Sequence, residues 1–184
     1  MQFKNVRVFA TQSQREKKLL AKARERKDII YGGQSIKAQI GIFARPTSDF
    51  DIFTKQPKKA AMNTEKDFDR IVGFDYFYTK PAKHPGTWKV KGRGVDLRKG
   101  TRDDEETVDY SKYPRPKPKV IMINGVQYRK LSQEKKAKYK AIRDPKYKFR
   151  KAKDTEDVNR INLSKSMLPN IQIGIKRLKL PKRF

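Results

Sequence analysis

The residues of this chain best suited by type and spacing to do chemistry are Asp49-Phe50-Asp51 and Gly32-Gly33. Successive side chains of a strand alternate between faces, so Asp49 and Asp51 point the same way, about 7 Å apart. Paired carboxylates at that separation make a site for a hard divalent cation such as Mg²⁺. The run Ile30-Tyr31-Gly32-Gly33-Gln34-Ser35 reads as a strand that ends in glycine and opens a helix. Glycine lets backbone N–H groups approach a ligand closely, and a helix N-terminus favours phosphate. Arg45 and Ser48, just ahead of the acidic pair, extend the phosphate contacts. A phosphate cradle beside a two-carboxylate metal site suits in-line phosphoryl or nucleotidyl transfer assisted by Mg²⁺. Each part also has a plainer reading: Gly32-Gly33 as an ordinary strand-to-helix turn, and Asp49 with Asp51 as a solvated strand edge.

Other chemistries are excluded by composition. Cysteine is absent, which removes disulfides, thiolate metal sites and a cysteine nucleophile. The one histidine, His84, lies in Lys80-Pro81-Ala82-Lys83-His84-Pro85-Gly86, a surface turn by its prolines. Mean hydropathy is −0.95, and no window approaches the roughly 18 apolar residues of a spanning helix. Met1-Gln2-Phe3-Lys4-Asn5 lacks the apolar core of a secretory signal. An intracellular, cytoplasmic setting is the expectation.

The elements that must position these residues are short. Ile29–Tyr31, Asp49–Phe53, Phe74–Tyr78, Trp88–Val90, Thr107–Tyr110 and Val120–Ile123 are β-branched and aromatic runs bounded by Gly, Pro, Asn or Asp, as half-buried strands tend to be. Trp88, Tyr76 and Tyr78 read as core or half-buried sheet residues. Asn124-Gly125 predicts a tight hairpin between Val120–Ile123 and Val126–Leu131, because both positions tolerate positive φ. Helices are predicted from a cap at Thr11 or Ser13 to about Lys27, from about Thr64 to Ile71, and from Ser132 onward. A further short helix over 154–163 would carry Val158, Ile161 and Leu163 on one side. The first has Ser13 and Glu16 spaced as a capping box and only a narrow apolar stripe, so it should lie on a surface. Strands alternating with helices, ending in a hairpin and a helical region, indicate a small α/β (α+β) domain with a mixed sheet.

The charge sits in particular places. Lys plus Arg number 47 against 20 Asp plus Glu, a formal net charge of +27. Residues 1–28 form a basic arm and helix, 29–131 the core, 132–163 a basic helical region and 164–184 a basic tail. Such an excess exceeds what solubility requires and should attract nucleic acid or another polyanion. Lys17, Lys18, Arg24, Lys148, Arg150, Lys176, Arg177, Lys182 and Arg183 are the candidate phosphate contacts, sequence-independent and salt-sensitive. The tail alone is expected to be disordered, and to be ordered by a large assembly.

The glycine pair, spacer and Asp-x-Asp together resemble the minimal nucleotidyltransferase domain of the DNA polymerase β superfamily. The chain is more closely similar to the abortive-infection toxin type and to related phage and large-virus proteins. Their signature runs roughly Gly-Gly-Thr-Ala-Leu, then Arg-x-x-Ser-Asp-x-Asp. Gly32, Gly33, Ile36, Arg45, Ser48, Asp49 and Asp51 match it, while Gln34 and Ser35 stand where the signature has Thr and Ala. A Lys-x-x-Ala-Leu element is matched by Lys138-Tyr-Lys-Ala-Ile142. An Arg-x-x-Lys-Asp-x-x-Asp element is matched by Arg150-Lys-Ala-Lys153-Asp154-Thr-Glu-Asp157. The motifs occur in family order and span 29–161.

The resemblance implies a nucleoside triphosphate held by Gly32, Gly33, Gln34, Ser35, Arg45, Ser48, Lys138 and Lys153. It implies two Mg²⁺ ions on Asp49, Asp51 and a third carboxylate from a neighbouring strand, which also serves as general base. Asp109 is the first choice for that carboxylate and Asp96 the second, while 103–106 reads as a solvated acidic loop. Asp154 and Asp157 read as helix-capping or lysine-pairing residues. The acceptor would be an RNA end or a protein hydroxyl. The alternative is a non-catalytic component of a virion or nucleoprotein assembly that keeps the fold and anchors by its basic arms. In that case the setting would be a virion.

Overall fold

The computed structural model describes residues 12–94, 96–101 and 103–177. Seven strands form one mixed sheet: β1 Ile29–Tyr31, β2 Phe50–Thr54, β3 Phe77–Pro81, β4 Trp88–Gly92, β5 Glu105–Lys112, β6 Val120–Ile123 and β7 Val126–Arg129. Their order is β3-β4-β5-β2-β1-β7-β6. The pairs β2/β5 and β1/β7 are parallel and the other neighbours antiparallel. Among the described residues the helices are α1 Gln12–Arg26, α2 Gly32–Ile40, α3 Pro57–Val72, α4 Leu131–Arg143 and α5 Lys151–Arg177. None is long and apolar enough to cross a membrane. The expected mixed α/β domain is what forms.

Alternation along the strands divides the sheet. Ile30, Phe50, Ile52, Val90, Val108, Tyr110, Val126 and Tyr128 point to one face. There they bury Leu19 and Ala23 of α1 and Ala60, Ala61, Phe68 and Val72 of α3. Burying the Val, Leu, Ile and Phe side chains among them stabilises by roughly 1.5–3 kcal/mol each. The opposite face carries Asp51, Asp109 and Lys89. A smaller cluster, Ile36, Ile40 and Ile161 with Leu131, ties α2, α4 and α5 together beside it.

Several boundaries differ from expectation, each for a local reason. Helix α3 begins at Pro57, seven residues before Thr64, because proline suits a first helical position and Ala60 and Ala61 are buried. It ends at Gly73, whose φ is 84°, and Asp69 then accepts hydrogen bonds from the amides of Tyr76 (2.8 Å) and Phe77 (2.7 Å). That turn delays β3 to Phe77. Arg15, outside the predicted apolar stripe, is buried over the rings of Phe68 and Phe77 and widens the packed face of α1. In α5 Val158 and Ile161 are buried, but Leu163 is half exposed, since two residues turn a helix by about 200°. The helix also runs through the boundary at 163/164, where Ser164 is buried and donates to the Ile161 carbonyl at 2.8 Å. The hairpin forms as predicted, with Asn124 at φ 50° and Gly125 at φ 77°.

Candidate active site

The site begins where β1 hands over to α2. Gly32 follows β1 directly and has φ +70°, and a Cβ built on it would lie 2.2 Å from Asp51 Oδ2. Gly33 is needed for a different neighbour: a Cβ there would lie 2.9 Å from Thr47 Oγ1, in the loop that leads to the acidic pair. The glycine pair thus admits a carboxylate on one side and a loop on the other. Gly32→Ala is expected to destabilise by about 2 kcal/mol or more, from left-handed backbone strain and displacement of Asp51. A urea titration would measure it.

The register of the sheet sets out the polar face. Tyr31 pairs with Asp51, Asp51 with Asp109, and Asp109 with Lys89, so one row crosses β1, β2, β5 and β4. Neighbouring strands lie about 4.8 Å apart, so the Asp51 and Asp109 carboxylates are immediate neighbours. Burial first, then Asp109, pushes Asp51 up from 3.8 to about 7, against the charges of Arg150 and Lys138. Lys89 Nζ lies 3.4 Å from Asp109 Oδ2. Tyr31 stacks on Phe53 with centroids 3.8 Å apart, its hydroxyl 3.3 Å from Ser111 Oγ. Burial raises the Tyr31 phenol above its usual range, as do Asp51 and Asp109.

Glu134, one of two acids in a basic stretch, has a central position that its sequence context did not indicate. It is fully buried; Oε1 accepts from the Gly32 amide at 3.0 Å and from Arg129 Nε at 2.8 Å, and Oε2 from Arg129 Nη2 at 2.5 Å. Arg129 in turn lies over the Tyr31 ring at 5.1 Å. The available signal was an isolated carboxylate at the start of a lysine-rich helix. Only the fold places it under Gly32.

The remaining predicted residues divide into groups. Asp49 is exposed, one residue ahead of β2, with Ser48 Oγ donating to it at 3.4 Å. Asp96 lies on the exposed loop after β4 and accepts from the Arg98 amide at 2.8 Å. Gln34 donates to the Thr47 carbonyl at 3.0 Å, and Ser35, fully buried, to the Arg129 carbonyl at 2.7 Å. The three motifs meet in one buried charge cluster. Lys138 Nζ lies 2.6 Å from Asp154 Oδ1 and 2.8 Å from Asp157 Oδ2, and Arg45 Nε lies 3.3 Å from Asp157 Oδ1. Arg150 approaches Asp154 at 3.7 Å, and Lys153 is exposed. Of the candidate phosphate contacts, Lys17 and Lys148 are exposed and Lys18 is half-buried. Arg24 donates to the Asn124 carbonyl at 2.6 Å. Lys176 and Arg177 close α5, and Lys182 and Arg183 lie outside the described residues.

Among the described residues no three His, Cys, Asp or Glu side chains are grouped so as to enclose a metal ion on their own. Mg²⁺ is commonly held by one or two carboxylates together with water and substrate phosphates. Asp51 beside Asp109 fits that pattern. Two abutting carboxylates, one driven toward neutrality by burial and by the other, are relieved by a divalent cation between them.

No family model and no curated protein matches the sequence. Solved structures do. The Megavirus polyadenylate synthase superposes with a TM-score of 0.63 at 18% identity, over 90% of this chain and 35% of that one. The chain has a nucleotidyltransferase fold. JHP933 from Helicobacter pylori gives a TM-score of 0.54 at 13% identity, over 81% of this chain and 63% of that one. A candidate nucleotidyltransferase from H. pylori gives 0.50 at 14% identity, over 80% and 65%. The nucleotidyltransferase fold here therefore spans about a third of the Megavirus protein and just under two thirds of the bacterial ones.

Proposed function

We propose that this chain is a Mg²⁺-dependent nucleotidyltransferase that passes a nucleotide from a nucleoside triphosphate to an acceptor hydroxyl, with RNA the favoured acceptor. The observation that carries the reading is the pairing of Asp51 with Asp109 in register, directly beneath the Gly32 turn. The Gly33 amide, Arg45 and Ser48 hold the triphosphate. The Gly32 amide donates to Glu134, Gln34 to the Thr47 carbonyl and buried Ser35 to the Arg129 carbonyl, so these three shape the turn rather than bind phosphate. Asp49, Asp51 and Asp109 hold Mg²⁺, two ions when substrate is present. The bound metal supplies charge neutralisation at the transferring phosphate. The acceptor oxygen forms its bond to the α-phosphorus as the bond from that phosphorus to the bridging oxygen breaks. Pyrophosphate leaves, and the acceptor proton passes to Asp109. Glu134 holds the Gly32 amide and Lys138 the Arg45–Asp157 pair, so both are positioning residues. Lys153, exposed beside that cluster, reaches outward for phosphate. The excess of 47 basic over 20 acidic residues favours RNA over a protein acceptor.

Labelled nucleotide from each of the four triphosphates, offered with Mg²⁺ to RNA and to protein acceptors, tests the reading. Asp49→Ala with Asp51→Ala should abolish transfer while far-UV circular dichroism is unchanged. Equal activity in that double variant overturns it.

Lys89 favours a second reading. Its ammonium already neutralises Asp109, as a fold kept for structure would require, and the chain would then anchor within a nucleoprotein or virion assembly by its basic arms. A wild-type protein that neither transfers nucleotide nor takes up Mg²⁺, and that fixes RNA through those arms, would favour it.

A further inference from the structure

On the face of the sheet opposite Asp51 and Asp109, Trp88 borders an open cavity of about 560 Å³. Around it stand Lys55, Lys58, Lys59, Lys66 and Lys112, and no acidic residue. All five lysines are exposed, and none forms an ion pair among the described residues. Met62, 43% exposed, adds an apolar patch. A second cavity of about 280 Å³ adjoins the first, sharing Lys55, Gln56, Lys59 and Asn63, so a groove crosses the first two turns of α3.

Nothing in the fold needs this arrangement. Five like charges around one cavity repel one another, and Lys58 relieves this only by resting its ammonium 5.2 Å from the Trp88 ring centroid. A ligand that suits the groove carries a planar ring for Trp88 and several negative charges spaced along a chain. We propose that this groove binds single-stranded nucleic acid, with a base stacked on Trp88 beside Met62 and the phosphates on the lysines. Stacking on aromatic side chains with backbone tracking by cations is the physical mode of single-strand binding. The base takes the place of the Lys58 ammonium over the ring, and that ammonium then pairs with the strand's own phosphate. An acidic peptide would satisfy the lysines but leave the ring unused, and a duplex keeps its bases stacked within itself.

The groove is separate from the candidate active site. Lys112 lies three residues along β5 from Asp109, about 10 Å by strand rise, and alternation puts it on the other side of the sheet. The proposal is therefore independent of whether transfer occurs.

Trp88 is the single tryptophan of the chain, so its fluorescence reports on this groove alone. The full chain, without nucleotide or Mg²⁺, is titrated with a short oligo(U) and separately with oligo(dT). Saturable quenching is expected with both, because base stacking and phosphate pairing are common to RNA and DNA, and Asp51→Asn protein should quench equally. By anisotropy of a labelled strand, Trp88→Leu should bind about 5-fold or more weakly, and Trp88→Phe should retain most of the affinity. Lys55→Gln, Lys59→Gln and Lys112→Gln together, all surface changes, should lower the salt slope by about 2. Strand binding that leaves Trp88 emission unchanged overturns the proposal. So does a folded Trp88→Leu variant that binds like wild type, or a duplex of the same length that quenches equally.

Discussion

Asp51→Asn should abolish nucleotide transfer and, above about pH 7, give a protein more stable than the wild type. Both effects come from one side chain held where it is disfavoured. Asp51 is pushed from 3.8 up to about 7, first by burial and then by Asp109. Because its pKa is raised on folding, the native state binds the extra proton between about pH 4 and 7. Stability from this group is therefore complete below pH 4 and is lost as pH rises through 7. Each tenfold gain in proton affinity corresponds to about 1.4 kcal/mol, so ionised Asp51 costs the fold a few kcal/mol. Asparagine keeps the shape and never ionises. The melting temperatures of variant and wild type should coincide near pH 4 and diverge as pH rises, reaching their full separation above pH 7. Adding Mg²⁺ at pH 8 should raise the wild-type melting temperature and leave the variant's unchanged. Coincident melting curves at pH 8 would contradict the assignment of Asp51 as the strained carboxylate. Transfer should fall by at least about 100-fold, the scale on which removal of a charge-organising group acts.

Lys138→Met is expected to cost about 3–5 kcal/mol, the usual consequence of removing one member of a buried ion cluster. Asp154 and Asp157 are almost fully buried and both face the Lys138 ammonium. Without it they keep only the longer contacts from Arg150 and Arg45. A urea titration should show a lower midpoint with an unchanged slope. Restoring neutrality by Asp154→Asn and Asp157→Asn in the same chain should recover most of the loss, because the penalty lies in the uncompensated carboxylates. The measurement also separates two roles for Lys138. As a positioning residue it changes stability first, and transfer falls through kcat as Asp157, left to Arg45 alone, draws that side chain out of place. A lysine in direct contact with the triphosphate would raise KM for nucleotide with little change in the urea midpoint.

Much of this was legible in local pattern. The glycine pair, the alternation of Asp49, Phe50 and Asp51, and the Asn124-Gly125 turn each occupy a few consecutive residues. Backbone sterics and strand periodicity act over that same span. The boundaries that moved were those decided by a non-local partner. Asp69 bonds to the amides of Tyr76 and Phe77 and delays β3, and Arg15 is buried by rings from α3 and β3. Lys138 carried a motif match, yet its surroundings could not be read from that match, since its carboxylate partners come from another helix.

By itself the sequence determined the class of fold, the strand that carries Asp51 and the basic surround, because composition, period and turn chemistry are local properties. The tertiary structure alone decided that Asp109 lies beside Asp51 while Asp96 sits on an exposed loop. It also decided that Glu134 holds the Gly32 amide and that five lysines collect around Trp88 on the far face. Those facts depend on strand order and register, which bring together residues up to 102 positions apart. Such pairings are settled by the burial of the whole sheet, and no short window of residues contains them.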